Sequence, residues 1–150
     1  MKSLYEHGVG DATPLVTIAG DGIRVAGNDV SPEMVKFART NLINHGLDPG
    51  AVNLLDVQSQ DAINAERERA GEFDAVMALG VIPHVEDDRW FVASMDKFMA
   101  PGGRMLLQFR NSMFSMFTFN RLTKEFVMDE LLPDVPDSVR LVVETDLDRR

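Results

Sequence analysis

Apolar residues in this chain come in short runs separated by longer amphipathic stretches, the alternation expected of strands and helices that follow one another in sequence. Phe73 to Leu79, FDAVMAL, is too brief for a globular helix and is closed by Gly80, so it reads as a strand buried on both faces. From Asp88 to Met99, Trp90, Phe91, Val92, Met95, Phe98 and Met99 recur at three- and four-residue spacing behind an acidic first turn, which predicts an amphipathic helix. Pro101, Gly102 and Gly103 stop it, and Met105 to Phe109 is the next strand. A strand, a helix and a strand in this space form a βαβ unit with parallel strands and a right-handed crossover.

The pattern repeats upstream. Asp11 to Pro14 can start a helix that Leu15, Val16 and Ile18 carry to Gly20, and Ile23 to Asn28 is a strand ending at Asp29. Ser31 and Pro32 open a second helix, with Met34, Val35, Ala38, Leu42 and Ile43 on its apolar face and His45-Gly46 at its end. Val52 to Val57 is a third strand, and the polar stretch Ala62 to Ala70 predicts a short solvent-facing turn of helix. Beyond Pro133 and Pro136, Val139 to Thr145 reads as one more strand. The fold class is therefore α/β, a Rossmann-like, mostly parallel sheet with helices on both faces, incomplete at one edge and folded as one domain over residues 1–150.

Charge narrows the partners. With 15 basic against 24 acidic residues and a net charge of −9, the chain lacks the clustered cations that phosphate backbones require, so no nucleic-acid partner is expected and a small-molecule substrate is favoured. There is no cysteine, which removes disulfides, thiolate metal sites and a cysteine nucleophile. No stretch of eighteen apolar residues and no apolar leader core occurs, so no membrane partner is expected and the cytoplasm is the expected compartment. No grouping of side chains predicts a metal.

The segment FDAVMALGVIPHVEDDRW followed by MAPGGRMLLQFRN resembles the fourth strand, its helix and the fifth strand of class I S-adenosylmethionine-dependent methyltransferases. The likeness covers about residues 8 to 132 and implies S-adenosylmethionine as cofactor and methyl transfer to a small-molecule acceptor. In that family a strand ending in an acidic residue leads into Gly-x-Gly-x-Gly. The candidate here is Glu6-His7-Gly8-Val9-Gly10, read with a strand from Lys2 to Tyr5, Leu4 at the acidic position, Glu6 in place of the first glycine, and Gly8 and Gly10 as the second and third. On this alignment the motif is divergent or entered part-way, and the chain is shortened at both ends.

The resemblance assigns further residues. Asp29 with Val30 falls at the acidic position after the second strand, where a carboxylate accepts both ribose hydroxyls; a turn or cap role for Asp29 stays open. Asp61 with Ala62 falls at the adenine-contacting pair, with Asp56 as the alternative. Gly80 opens the loop after the fourth strand, and His84 in that loop is either a general base or a ring that anchors the loop to backbone. Met113, Phe114, Met116, Phe117 and Phe119 form an apolar segment that could be a lid over substrate, a core helix, or a surface for homo-oligomer formation. Two other functions remain open from sequence: a non-catalytic relative that binds the cofactor or a protein, and a nicotinamide-dependent dehydrogenase, which would want the G-x-G-x-x-G that is absent here.

Overall fold

A computed structural model describes residues 1–108 and 124–147. The chain divides into two compact units, Met1–Phe109 and Arg110–Arg150. The first carries strands β1 (Ser3–His7), β2 (Arg24–Asp29), β3 (Val52–Leu54), β4 (Phe73–Ala78) and β5 (Met99–Leu107). Helices α1 (Thr13–Gly20), α2 (Pro32–Asn44), α3 (Gln60–Ala70) and α4 (Asp88–Asp96) connect them. The five strands form one sheet in the order β3-β2-β1-β4-β5, every neighbouring pair parallel. This is the Rossmann-like α/β architecture that the alternation predicts.

Period-two alternation distributes each strand between two cores. Leu4 of β1 and Ala75 and Met77 of β4 join Leu15 of α1 and Val35, Ala38 and Leu42 of α2 on one face. Tyr5, Val76 and Ala78 join Ile63 of α3 and Phe91 and Met95 of α4 on the other. The chain runs outward from β1 to β3, then crosses back through α3 to place β4 on the opposite side of β1. Strand order reverses between β1 and β4, the point at which open α/β sheets form a ligand crevice beyond the strands' C-terminal ends.

Several elements differ from the sequence expectation for local physical reasons. β1 runs to His7 rather than stopping at Tyr5, because His7 pairs in register with Asn28 and Ala78. The Pro101-Gly102-Gly103 stretch does not precede β5 but lies inside it: Phe73 pairs with Met99 while Ala75 pairs with Arg104, so the intervening residues bulge out of the ladder. Gly102 takes a φ of 78° there. β3 stops at Leu54 rather than reaching Val57.

The stretch after β3 is an eleven-residue helix, not a short solvent-facing turn. Its polar sequence conceals an inward side, since Ile63 is fully buried and Glu66 is 5% exposed. Glu66 accepts the Tyr5 hydroxyl at 3.0 Å, the Asn53 amide at 3.0 Å and Arg69 at 2.7 and 2.9 Å. Burial, together with the Glu66 carboxylate, pushes the Tyr5 phenol well above its usual pKa. The network ties α3 to the middle of the sheet through a charge that is both paired and hydrogen-bonded.

In the second unit, a π-helical turn, Phe126–Leu131, is followed by α5, Asp137–Leu147. Val139 to Thr145 is thus helical and not a strand. Asp137 opens it, and Arg140 on its first turn donates to Asp129 at 2.9 Å and so braces the helix against the π-turn. The Met113–Phe119 segment lies outside the described residues.

Removing one partner of the Glu66 network leaves buried polar atoms unsatisfied. Glu66→Ala is expected to destabilise the chain by roughly 3 kcal/mol, against less than about 1 kcal/mol for an alanine at the exposed Arg67–Glu72 pair. Urea denaturation of the two variants beside the parent measures both.

Candidate functional site

The crevice is lined by residues from the C-terminal ends of four successive strands: Gly8 and Gly10 after β1, Asn28, Asp29 and Val30 at β2, Val57 after β3, and Leu79, Gly80, Val81 and His84 after β4. It encloses about 220 Å³. Six of the sequence-predicted residues meet here: Gly8, Gly10, Asp29, Val30, Gly80 and His84.

The loop between β1 and α1 is held against β2 by backbone. Gly8 and Val9 both donate their N–H groups to the Asn28 carbonyl, at 2.8 and 3.0 Å, and Gly10 donates to Asp29 Oδ2 at 2.9 Å. Gly8 has a φ of 70°, and a Cβ placed on it would come 2.4 Å from Val81 Cγ2, so the residue is restricted by conformation and by space. Gly27, within β2, is the complement. A Cβ there would stand 2.5 Å from the Glu6 carbonyl oxygen and 2.4 Å from Val9 Cγ1. An isolated glycine inside a strand pattern signals such close approach, and this was the available clue to its role.

The same geometry corrects the motif's register. Glu6 lies inside β1, one residue from its end, and does not replace a glycine; Leu4 is two positions too early for the strand-end acid. Gly8 and Gly10 become the first and second glycine positions. The third falls on Ala12, which adopts φ 60°, the left-handed conformation that a glycine would take, at the N-cap of α1. Asp11 assists by accepting the Thr13 N–H at 3.0 Å.

Asp29 does more than turn the chain. Oδ2 accepts from Gly10 and Oδ1 accepts from the Ser31 N–H at 2.9 Å, so both oxygens are oriented and each keeps a second lone pair. Asp61 and Ala62 are not brought to the crevice. Asp61 is exposed in the first turn of α3, and the Ala62 N–H is taken by its N-cap Ser59 at 3.3 Å. Val57 occupies the place the third strand contributes. His84 stands exposed at the mouth on a 3-10 turn, Ile82–His84. Its imidazole makes no hydrogen bond to a described residue, so it does not anchor the loop.

Just before the loop, β1 carries a buried acid. Glu6 is 1% exposed, and its Oε2 is buried with no hydrogen-bond partner among the described residues. Burial pushes its pKa up to about 8, with the Asp11 and Asp29 carboxylates adding to the effect. His7, on the opposite side of the strand, is enclosed by Tyr5, Phe91 and Phe98 rings at 5.0 to 5.8 Å. Burial lowers its pKa to about 4, against a smaller opposing effect of Asn28, and the ring is neutral at pH 7.

Three carboxyl groups converge on one glycine loop, and the loop amides of Gly8, Val9 and Gly10 are already engaged by β2. A diphosphate would find neither free N–H groups nor a positive field there, as it does in a dinucleotide site. A ligand carrying a hydroxyl pair and a cationic centre fits this set of acceptors.

The methyltransferase domain family matches residues 5–107. The chain belongs to that family. It is 26% identical over 148 residues to the ubiquinone biosynthesis O-methyltransferase of Aromatoleum aromaticum, an alignment covering 99% of this chain and 61% of the relative. It is 30% identical over 130 residues to the enzyme of that name from Xanthomonas axonopodis pv. citri, covering 87% and 52%. The chain thus spans between half and two thirds of the length of these curated relatives. A SAM-bound amino pentose methyltransferase from Micromonospora echinaspora superposes with a TM-score of 0.56 at 27% identity, over 70% of this chain and 41% of that one. Coclaurine N-methyltransferase, with N-methylheliamine and SAH, shares the fold at a TM-score of 0.59 and 16% identity, over 70% and 30%.

Two substitutions report on the site's construction. Gly27→Ala forces β2 from the loop through a backbone clash and is expected to lower stability by about 2 kcal/mol or more, seen as a fall in Tm. Glu6→Gln acts the other way. A carboxyl whose folded pKa is raised opposes folding increasingly as pH climbs from the unfolded value of 4.5 to about 8. Removing the charge is therefore expected to stabilise the ligand-free chain by roughly 2–4 kcal/mol at pH 8 and much less at pH 5, read from urea midpoints at the two pH values.

Proposed function

We propose that this chain binds S-adenosylmethionine in the crevice between β1 and β4 and supports methyl transfer to a hydroxyl of a small-molecule acceptor. The observation that carries the reading is the meeting of an oriented, half-engaged Asp29 with an anion-lined glycine loop whose amides are already bonded. Family membership and the O-methyltransferase relatives support it.

S-adenosylmethionine supplies an electrophilic methyl group on a sulfonium. The protein's work is then chiefly to align and to exclude water. Asp29 would hold the ribose hydroxyls through the lone pairs left by Gly10 and Ser31. Gly8, Gly10 and Gly80 line the crevice without side chains and would leave room for the methionine portion. Val30, Leu79 and Val81 present apolar surface at its rim. His84, at the mouth with its ring making no hydrogen bond to a described residue, would take the proton of the acceptor hydroxyl.

A small-molecule acceptor also agrees with the net charge of −9, which disfavours a polyanionic one. Among the described residues no helix is long and apolar enough to cross a membrane.

Titration calorimetry with S-adenosylmethionine, S-adenosylhomocysteine and NAD tests the reading. Both adenosyl ligands are expected to bind and NAD to fail, with Asp29→Ala weakening the adenosyl ligands at least tenfold, about 1.4 kcal/mol or more. NAD binding as tight as that of the adenosyl ligands would refute the reading. In a phenolic-acceptor assay, His84→Gln is expected to lower kcat on the order of 100-fold with the cofactor affinity unchanged. Binding without turnover of any acceptor by the parent would favour the cofactor-binding, non-catalytic alternative.

A further inference from the structure

A side chain bridges two loops at the mouth of the crevice. Gln58 follows Val57, which lines the crevice from the β3 side, and its Oε1 accepts the Glu86 N–H at 3.3 Å. Glu86 stands two residues beyond His84, on the segment between β4 and α4. Among the described residues, no other hydrogen bond joins residues 80–87 to the loop after β3.

Both ends of this strap are anchored. Asp56 Oδ1 accepts the Gln58 N–H at 2.9 Å and the Asp56 carbonyl accepts the Ser59 N–H at 3.1 Å, a turn that leads into Ser59, the N-cap of α3. Asp87, next to Glu86, caps α4 by accepting the Trp90 N–H at 2.9 Å, and α4 buries Phe91 and Met95 in the second core. His84 lies between, on its 3-10 turn, with its N–H held by the Val81 carbonyl at 2.9 Å. Val81, Ile82 and Val85 pack on the second core, so burial fixes the base of the segment and the strap fixes its outer end. The residue type suits the place. Asp56, Glu86, Asp87 and Asp88 crowd the two segments that Gln58 joins, and a neutral amide supplies an acceptor there without a further negative charge.

Resting on the reading of His84 as base, we propose that Gln58 is a positioning residue: by holding the Glu86 N–H across the mouth, it sets where the His84 turn stands relative to Val57 and the crevice. A base acts only within hydrogen-bond reach of the proton it takes, and a small displacement of such a group costs rate. The strap acts through the turn rather than on either reactant. Because its hydrogen bond is exposed, it contributes little to folding stability, so its effect on His84 separates from any effect on the fold.

Two substitutions in the whole chain test this. Gln58→Met keeps the length of the side chain and removes the acceptor, whereas Gln58→Glu keeps the acceptor and adds a charge. Gln58→Met is expected to lower kcat for a phenolic acceptor on the order of tenfold, with Tm unchanged. Affinity for S-adenosylhomocysteine, measured by calorimetry, is expected to stay within about twofold of the parent. Gln58→Glu is expected to recover most of the lost kcat. Proton NMR of the His84 ring, assigned by the signals missing from His84→Gln, reads the placement without turnover: the resonances are expected to be displaced in Gln58→Met and to lie near their parent positions in Gln58→Glu. Ring signals unmoved by Gln58→Met, a Gln58→Glu variant as impaired as Gln58→Met, or a loss that falls on cofactor affinity instead of kcat overturns the assignment and leaves the cofactor reading intact. Unchanged kcat in His84→Gln overturns the role of His84 and the assignment with it, and failure of both adenosyl ligands to bind overturns the cofactor reading itself.

Discussion

The interaction on which this molecule depends is the seam between the β1–α1 loop and the end of β2. One carbonyl, that of Asn28, receives the N–H groups of both Gly8 and Val9, and one carboxylate, that of Asp29, receives Gly10 and Ser31. The seam closes because Gly27 has no side chain where Glu6 and Val9 press against it. It sets the start of α1, hence the packing of Leu15 into the first core, and it shapes one wall of the crevice. Structure and site therefore share the same few hydrogen bonds, and a change at one glycine reaches both.

Around this seam the chain keeps polar groups in unfavourable surroundings. Glu6 and His7 are adjacent in sequence, opposite in facing and both buried in the central strand, and Glu6 Oε2 and the two His7 ring nitrogens have no hydrogen-bond partner among the described residues. Each stays neutral near pH 7 for the same reason, since charge cannot be solvated there. Glu66, sixty residues after Glu6 in sequence but packed on the same sheet, shows the contrast: its burial is matched by Tyr5, Asn53 and Arg69, and it acts as a fastening. A buried carboxyl that is fully bonded serves the fold.

Much of the architecture was legible along the chain because burial on both faces of a parallel sheet writes continuous apolar runs, and amphipathic helices write three- and four-residue spacing. β2, β4, α2 and α4 followed from those two periods, and Ser31 caps α2 as its position predicts, accepting from Met34. The failures lie where local pattern and tertiary setting diverge. VRLVVET has a strand's composition but extends a helix opened by Asp137 and braced by Arg140 to Asp129. Gln60–Ala70 looks wholly polar because the residue it buries most pointedly is a glutamate. Pro101 to Gly103 reads as a stop, yet the ladder resumes on both sides of it through a bulge.

Sequence by itself determined the α/β class, the parallel order of elements and the acidic balance, because each depends on residue type and spacing along one chain, and through the family resemblance of its motifs it marked Gly8, Gly10, Asp29, Val30, Gly80 and His84 as candidates. Tertiary structure alone decided that Glu6 belongs to the strand and Ala12 to the loop's left-handed turn, that Asp61 faces solvent, and that Gly27 is indispensable to the seam. These depend on which strands lie side by side. The register of β1 against β2 and β4 places His7 opposite Asn28 and Ala78, and with that pairing the strand must continue through Glu6. Pairing between segments some twenty and seventy residues apart leaves no local mark, since its hydrogen bonds come from backbone that every residue carries.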